Sequence, residues 1–171
     1  MPRVPLVDEH VAPEVASIAA RIRNERGGKL LTLYQVLLQS PKLAEAWLQF
    51  FTVVRQQCDL SARHRELAIL YVAVLNGAQY EYEQHVPFAL AAGFDAAQLE
   101  AIPAWESSDR FEPADRAVLA YTRAMTREIR VPDAVYAAVA AHFAPPPIVE
   151  LTATIGGYNL VSRFLEALEI H

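Results

Sequence analysis

The stretch Arg65–Ala89, RELAILYVAVLNGAQYEYEQHVPFA, decides how this chain folds. Its first half is a run of Ala, Leu, Ile and Val up to Asn76, interrupted by Arg65, Glu66 and Tyr71. Gly77 follows, the residue type that most readily takes the left-handed conformation in which helices end. From Gln79 onward Glu81, Glu83 and His85 stand among Tyr, Val, Phe and Ala. The stretch reads as two apolar helices joined at Gly77. Ionisable groups are costly to bury unless they are paired, so Glu66, Glu81 and His85 either lie solvated along a helix edge or form a small acid–base site inside a helical bundle.

Spacing sharpens that choice. Glu81 and His85 are four apart and share a helix face. A carboxylate beside an imidazole stabilises the imidazolium, which makes the pair a proton shuttle; the plainer alternative is a surface pair contributing about 0.2–0.5 kcal/mol. Ala78, Glu81, His85 and Ala89 fall on one stripe whose small members let another helix come close. Glu66 lies eleven residues before Gly77 and His85 eight after it. At 1.5 Å per residue these are roughly 16 Å and 12 Å along the two axes. In an antiparallel pair Glu66 and His85 therefore lie about level, a placement compatible with contact.

The rest of the chain is punctuated in the same way. A proline-containing arm, residues 1–10, precedes a helix opening at Pro13 and stopping at Gly27-Gly28. A short helix is expected over Leu30–Gln39. Ser40-Pro41 then supplies a cap and first turn for a helix to Gln57, with Leu43, Ala44, Trp47, Phe50, Phe51 and Val54 on its inner face. Ser61 caps the next helix. Gly93 ends the helix that carries His85, with Pro87 expected to kink it, and Asp95 with Gln98 has capping-box spacing. The polar segment Pro103–Pro113 reads as a surface loop. Helices follow from Pro113 to Arg127, from Pro132-Asp133 to Phe143, and from Ile148 to Leu168, with Pro145-Pro146-Pro147 as the stop before the last. Gly156-Gly157 lets a backbone or a ligand approach closely. With no linker-like segment, one domain over 1–171 is expected.

Composition bounds the function. Apolar residues make up 53% of the 171 residues and charged ones 20%, at a net charge of −5. Such a chain folds around a core rather than staying disordered, and the helix-forming residues recur at helical spacing, giving an all-α fold. No basic block marks a nucleic-acid footprint, no apolar run is suited to spanning a membrane, and the N-terminus lacks a secretory h-region. The single cysteine, Cys58, makes no internal disulfide, so a cytoplasmic location is the default. Beside Asp59, that thiol lacks the positive surroundings a reactive thiolate needs. A metal site is not expected: helical di-iron bundles use Glu-x-x-His, whereas Tyr82 stands three before His85 and Val139 three before His142. Tyr82, Tyr158 and Asn159 are polar groups in apolar helices, suited to lining a pocket or to filling a core. Arg163 suits a forked contact with a substrate carboxylate or a salt bridge to Glu150 or Glu166.

The run Arg65-Glu66-x-x-Ile69-Leu70, then Asn76-Gly77, Tyr80-Glu81-Tyr82 and His85-x-x-x-Ala89, resembles the carboxymuconolactone decarboxylase/alkylhydroperoxidase D-like superfamily. Gly157-Tyr158-Asn159-x-x-x-Arg163 with Ala167-Leu168 looks like the end of its decarboxylase-like branch. The resemblance covers about residues 30–170. It implies a multihelical bundle of about seven to nine helices, no cofactor, and a homo-oligomer (dimer, trimer or hexamer) with the pocket near the subunit contact. The peroxidase branch of that superfamily carries an acid, a Cys-x-x-Cys pair and a histidine. Aligned on His85, the acid is Glu66 and the cysteine positions hold Ala78 and Glu81. Dithiol peroxide reduction needs both an attacking and a resolving thiol, so the resemblance points instead to the decarboxylase branch. It implies a lyase or related acid–base enzyme on a small carboxylated or lactone-like molecule, with His85 as general acid/base, Glu81 as its partner and Glu66 as a second carboxylate. The competing reading is a non-catalytic helical protein of the same fold kept for assembly or binding.

Overall fold

The computed structural model describes residues 1–8 and 10–171; Glu9, within the expected N-terminal arm, lies outside the described residues. In chain order come α1 (Pro13–Glu25), α2 (Thr32–Leu37), α3 (Pro41–Gln56), α4 (Ala62–Asn76), α5 (Gln79–Ala91), α6 (Ala96–Ala101), a 3-10 segment η1 (Ile102–Ser107), α7 (Pro113–Arg127), α8 (Asp133–Ala140) and α9 (Pro145–Ala167). The described residues contain no strand, and the fold is an all-α bundle of nine α-helices among them. No helix among them is long and apolar enough to cross a membrane. They fall into two compact units, Met1–Gln57 with Leu165–His171, and Cys58–Phe164.

In the first unit α1 packs on α3. Val15, Ile18, Ala19 and Ile22 meet Ala44, Trp47, Leu48, Phe51 and Val54 as the buried faces. The inner face of α3 is narrower than its sequence suggests: Leu43 and Phe50 sit on the edge of that stripe and are exposed. Pro41 opens α3, but the Ser40 side chain makes no cap bond. The arm is tied to its own unit. The Arg3 backbone amide donates to the Leu168 carbonyl at 2.8 Å and that of Val7 to the Gln35 carbonyl at 3.2 Å, while the Gln39 side-chain Nε2 donates to the Pro5 carbonyl at 2.7 Å.

The second unit is organised by α4, in which Glu66 through Ala73 are all buried. A helix covered on every side lies between neighbours, and α4 packs against both α5 and α7. Its ends are set locally. Ser61 Oγ accepts from the His64 amide, and Gly77 closes it at φ 69°. Arg63 holds the buried Asp115 of α7 through two bonds of 2.6 and 3.2 Å. The Asp95–Gln98 capping box forms with both of its bonds.

Two expectations are corrected. The segment after Pro103 is not loop at its start: η1 buries Ile102 and Trp105, and Trp105 Nε1 donates to the Tyr71 hydroxyl at 3.0 Å. Its polar residues are the outer side of a short helix whose inner side is held by a distant partner. Pro145-Pro146-Pro147 does not precede the last helix but opens it. A first turn has amide groups with no intrahelical acceptor, so residues lacking that amide cost little there.

Candidate active site

The site lies within the second unit. The buried residues of α5 are Glu81, His85 and Ala89, and Ala78, just ahead of the helix, is buried too. Thus the face α5 turns inward is the stripe of two small residues around two ionisable ones. Glu66 is 2% exposed, Glu81 2% and His85 6%, so the solvated-edge reading does not apply.

Glu66 and His85 meet across α4 and α5: His85 Nδ1 lies 2.7 Å from Glu66 Oε2. The level placement computed from helical rise is realised as contact. Arg65 donates through Nε to the other carboxylate oxygen at 3.1 Å, so Glu66 is held from both sides. Burial, the largest influence on this carboxyl, pushes its pKa up. The His85 bond and charge, followed by the Arg65 charge and bond, outweigh burial and hold it below its ordinary value. Glu66 is therefore an anion at neutral pH, and a carboxylate on Nδ1 fixes the orientation of the ring. The Tyr158 ring stands edge-on to His85, with centroids 5.0 Å apart.

Glu81 is addressed from α9. Ser162 Oγ, itself buried, lies 2.9 Å from Glu81 Oε2 and 3.0 Å from the Tyr158 carbonyl oxygen. Sequence reasoning gave neither Ser162 nor Arg65 a role in the site. Neighbours in sequence do not share a helix face, so the spacing of Arg65 and Glu66 announces no contact. Ser162 reads as one small polar residue in an apolar helix, and its partner is 81 positions away.

The remaining candidates turn their polar atoms to the protein itself. Tyr82 OH donates to the Leu99 carbonyl at 3.3 Å. Asn159 Oδ1 accepts from Asn76 of α4, and its amide donates to Thr126 of α7, which makes it a joint between three helices. Arg163 is exposed and bonds Asn159 through its carbonyl and its side-chain oxygen. That contact takes the place of the expected salt bridge to Glu150 or Glu166; Glu150 accepts from the Leu60 amide. An added Cβ at Gly156 meets nothing within 4 Å among the described residues, and Gly157 beside it is buried. A cavity of about 330 Å³ opens at the α4–α5 turn, walled by Ala73, Gly77, Ala78, Tyr82, Leu99 and Glu100 among others. Burial, followed by the charge of Glu150, pushes the Cys58 thiol up. Among the described residues no three His, Cys, Asp or Glu side chains cluster as a metal site would need.

Residues 41–124, which include the whole Glu66–His85 pairing, match the carboxymuconolactone decarboxylase family. The match takes in just under half of the chain, and over that part the chain is similar to the carboxymuconolactone decarboxylase family. Among curated proteins it is 26% identical to the uncharacterised YdfG of Bacillus subtilis (strain 168) over 115 residues, 66% of this chain and 78% of that one. It is 38% identical to the uncharacterised YnjA of Escherichia coli (strain K12) over 74 residues, 43% and 41% of the two chains. Among solved structures, a protein of unknown function from Agrobacterium tumefaciens, named as a candidate antioxidant-defence protein AhpD, superposes with a TM-score of 0.75 at 23% identity. That match covers 80% of this chain and 94% of the other. The debrominase Bmp8, as a cysteine-to-alanine variant in complex with 2,3,4-tribromopyrrole, superposes at 0.83 with 17% identity over 98% and 90% of the two chains. At these identities the structures establish a shared fold. The family includes enzymes.

Proposed function

We propose that this protein is an acid–base enzyme of the decarboxylase-like kind that works without a cofactor on a small carboxylated or lactone-like metabolite. The observation that carries the reading is the 2.7 Å pairing of His85 Nδ1 with Glu66 inside the fold. A base whose ring is held by a third group is the arrangement proton-transfer sites use. With Nδ1 engaged by Glu66, exchange with a reactant runs through Nε2. The cavity beside Ala78 and Tyr82 is of a size that suits a small metabolite, although its walls do not include Glu66, Glu81 or His85.

The chemistry balances with these groups alone. A carboxylate on a saturated carbon next to a double bond that is conjugated with a lactone carbonyl loses CO2 as its C–C bond breaks. The electron pair moves into the conjugated system as an enolate. The His85 imidazolium gives its Nε2 proton to the carbon terminus of that system, and the neutral imidazole recovers a proton from solvent. Glu66 keeps the ring oriented and stabilises its charged form. Dithiol peroxide reduction is disfavoured, because Ala78 and Glu81 stand at the cysteine positions and the Cys58 thiol is pushed up rather than down. The homo-oligomeric state of the family resemblance belongs to the same proposal, with copies of this chain as the partners. Turnover of a panel of small carboxylated lactones, followed as CO2 release, tests it. His85→Ala is expected to lose on the order of 10²–10⁴ in rate with its helical circular dichroism intact; an equally active His85→Ala protein sinks the reading.

A further inference from the structure

We infer that Arg65 is the ligand anchor of this site: with its Nε spent on Glu66, its two Nη nitrogens form an open fork that takes a carboxylate of the bound molecule beside the Glu66–His85 pair. The argument is one of donors. A guanidinium carries five N–H groups in a fixed plane and accepts nothing. Arg65 uses one of them, donating through Nε to Glu66 Oε1 at 3.1 Å. Among the described residues no acceptor takes its Nη hydrogens. The side chain is 15% exposed, and neither Nη is sealed from solvent, so a small anion can reach them. A carboxylate seated there makes two parallel charge-assisted bonds, the contact for which the planar fork is shaped.

The carboxylates of the fold around Arg65 are engaged elsewhere. Glu66 divides its two oxygens between Arg65 and His85 Nδ1, so its single charge is shared. Glu150, whose charge acts on Cys58 together with that of Arg65, gives an oxygen to the Leu60 amide at 2.7 Å. Two other arginines supply the contrast. Arg63 closes its Nε and Nη2 on the two oxygens of the buried Asp115 at 3.2 and 2.6 Å, so the forked contact forms where the fold itself provides a carboxylate. Arg163, the anchor expected from sequence, is exposed and bonded to Asn159, and at an exposed position water weakens an ion pair. One carboxyl group, that of Glu66, bridges the Arg65 guanidinium and the His85 ring, so an acid held on the Nη fork is brought to the histidine that exchanges the proton. In a decarboxylation the anchored carboxylate is one that stays on the product, because a salt bridge to the departing group would stabilise the reactant more than the transition state. The use of this anchor in turnover rests on the acid–base reading above. Its binding is measured without turnover, so the two claims fail separately.

The test is a titration of the nitrogen-15-labelled protein with succinate, and with its neutral diamide succinamide, at neutral pH and constant ionic strength, followed at the assigned guanidinium signals of Arg65. Succinate should move those signals saturably and succinamide should leave them in place. Arg65→Gln should weaken succinate binding by about tenfold or more. Arg65→Lys, which keeps the charge without the planar fork, should recover only part of it. Arg65 signals that succinate leaves unmoved, an Arg65→Gln protein that binds as tightly as wild type, or full recovery by Arg65→Lys overturns the proposal. Should Arg65→Gln fail to fold, the comparison of succinate with succinamide on the wild-type protein decides: a saturable shift with succinate alone supports the anchor, and equal effects of the two overturn it.

Discussion

Replacing Glu66 by Gln removes the one negative charge between His85 and Arg65 while keeping the side chain's shape. In the wild-type fold Oε2 pairs with His85 at 2.7 Å and Oε1 accepts from Arg65 at 3.1 Å, and the residue is 2% exposed. The amide offers one accepting oxygen in place of two and turns an N–H₂ group toward a remaining donor. Removing one member of a buried ion pair costs about 3–5 kcal/mol, a large part of the roughly 5–15 kcal/mol that holds a domain folded. Urea unfolding at neutral pH is the assay. The midpoint should fall with the slope unchanged, whereas Glu83→Gln, an exposed change on the same helix, should stay within about 0.5 kcal/mol of wild type. The difference depends on pH with a definite sign. The Glu66 carboxyl is held below its ordinary value, so its stabilisation is fully present above that ordinary value and fades as pH falls through the folded one. The gap between wild type and Glu66→Gln should therefore be widest at neutral pH and close on acidification. A gap under about 0.5 kcal/mol at neutral pH, or one that widens in acid, would refute the pairing.

Three further outcomes follow from particular contacts. Tyr71→Phe should cost about 1–3 kcal/mol by leaving the buried Trp105 N–H without its acceptor, and adding Trp105→Phe should cost less in that background than alone, as a double-mutant cycle reads. Gly77→Ala should lower stability by about 1–2 kcal/mol, because φ 69° is unfavourable for a residue with a Cβ; an unchanged denaturation midpoint would contradict that. Cys58, its thiol pushed up by burial and then by Glu150, should react with iodoacetamide more slowly in the folded protein than in the urea-unfolded chain; faster reaction when folded would reopen a role for it in redox chemistry.

Features whose cause lies within one turn of chain were legible before any coordinates. The Ser61 cap, the Asp95–Gln98 box, the stop at Gly77 and the span of α7 are local bonds and local backbone preferences. What depends on distant partners was not. Trp105 sits in a polar segment, and only the Tyr71 hydroxyl, 34 residues away, explains why that segment is helical and partly buried. The proline run was ambiguous by nature, since the residue that ends one helix also opens the next. The site divides along the same line. The α5 stripe follows from periodicity, and the level placement of Glu66 from helical rise. Which carboxylate takes His85 Nδ1 depends on how two helices rotate against each other. That Glu81 is met by Ser162 depends on a third helix 81 positions on.

The central claim is that His85 delivers a proton from a fixed direction, and the product formed in D2O tests it most directly. A carboxylated lactone turned over by the wild-type protein should yield product carrying one deuterium on a single face at the protonated carbon, and Glu66→Gln, with the ring no longer held, should erode that preference. Wild-type product labelled equally on both faces would mean that solvent rather than His85 supplies the proton, and would contradict the account.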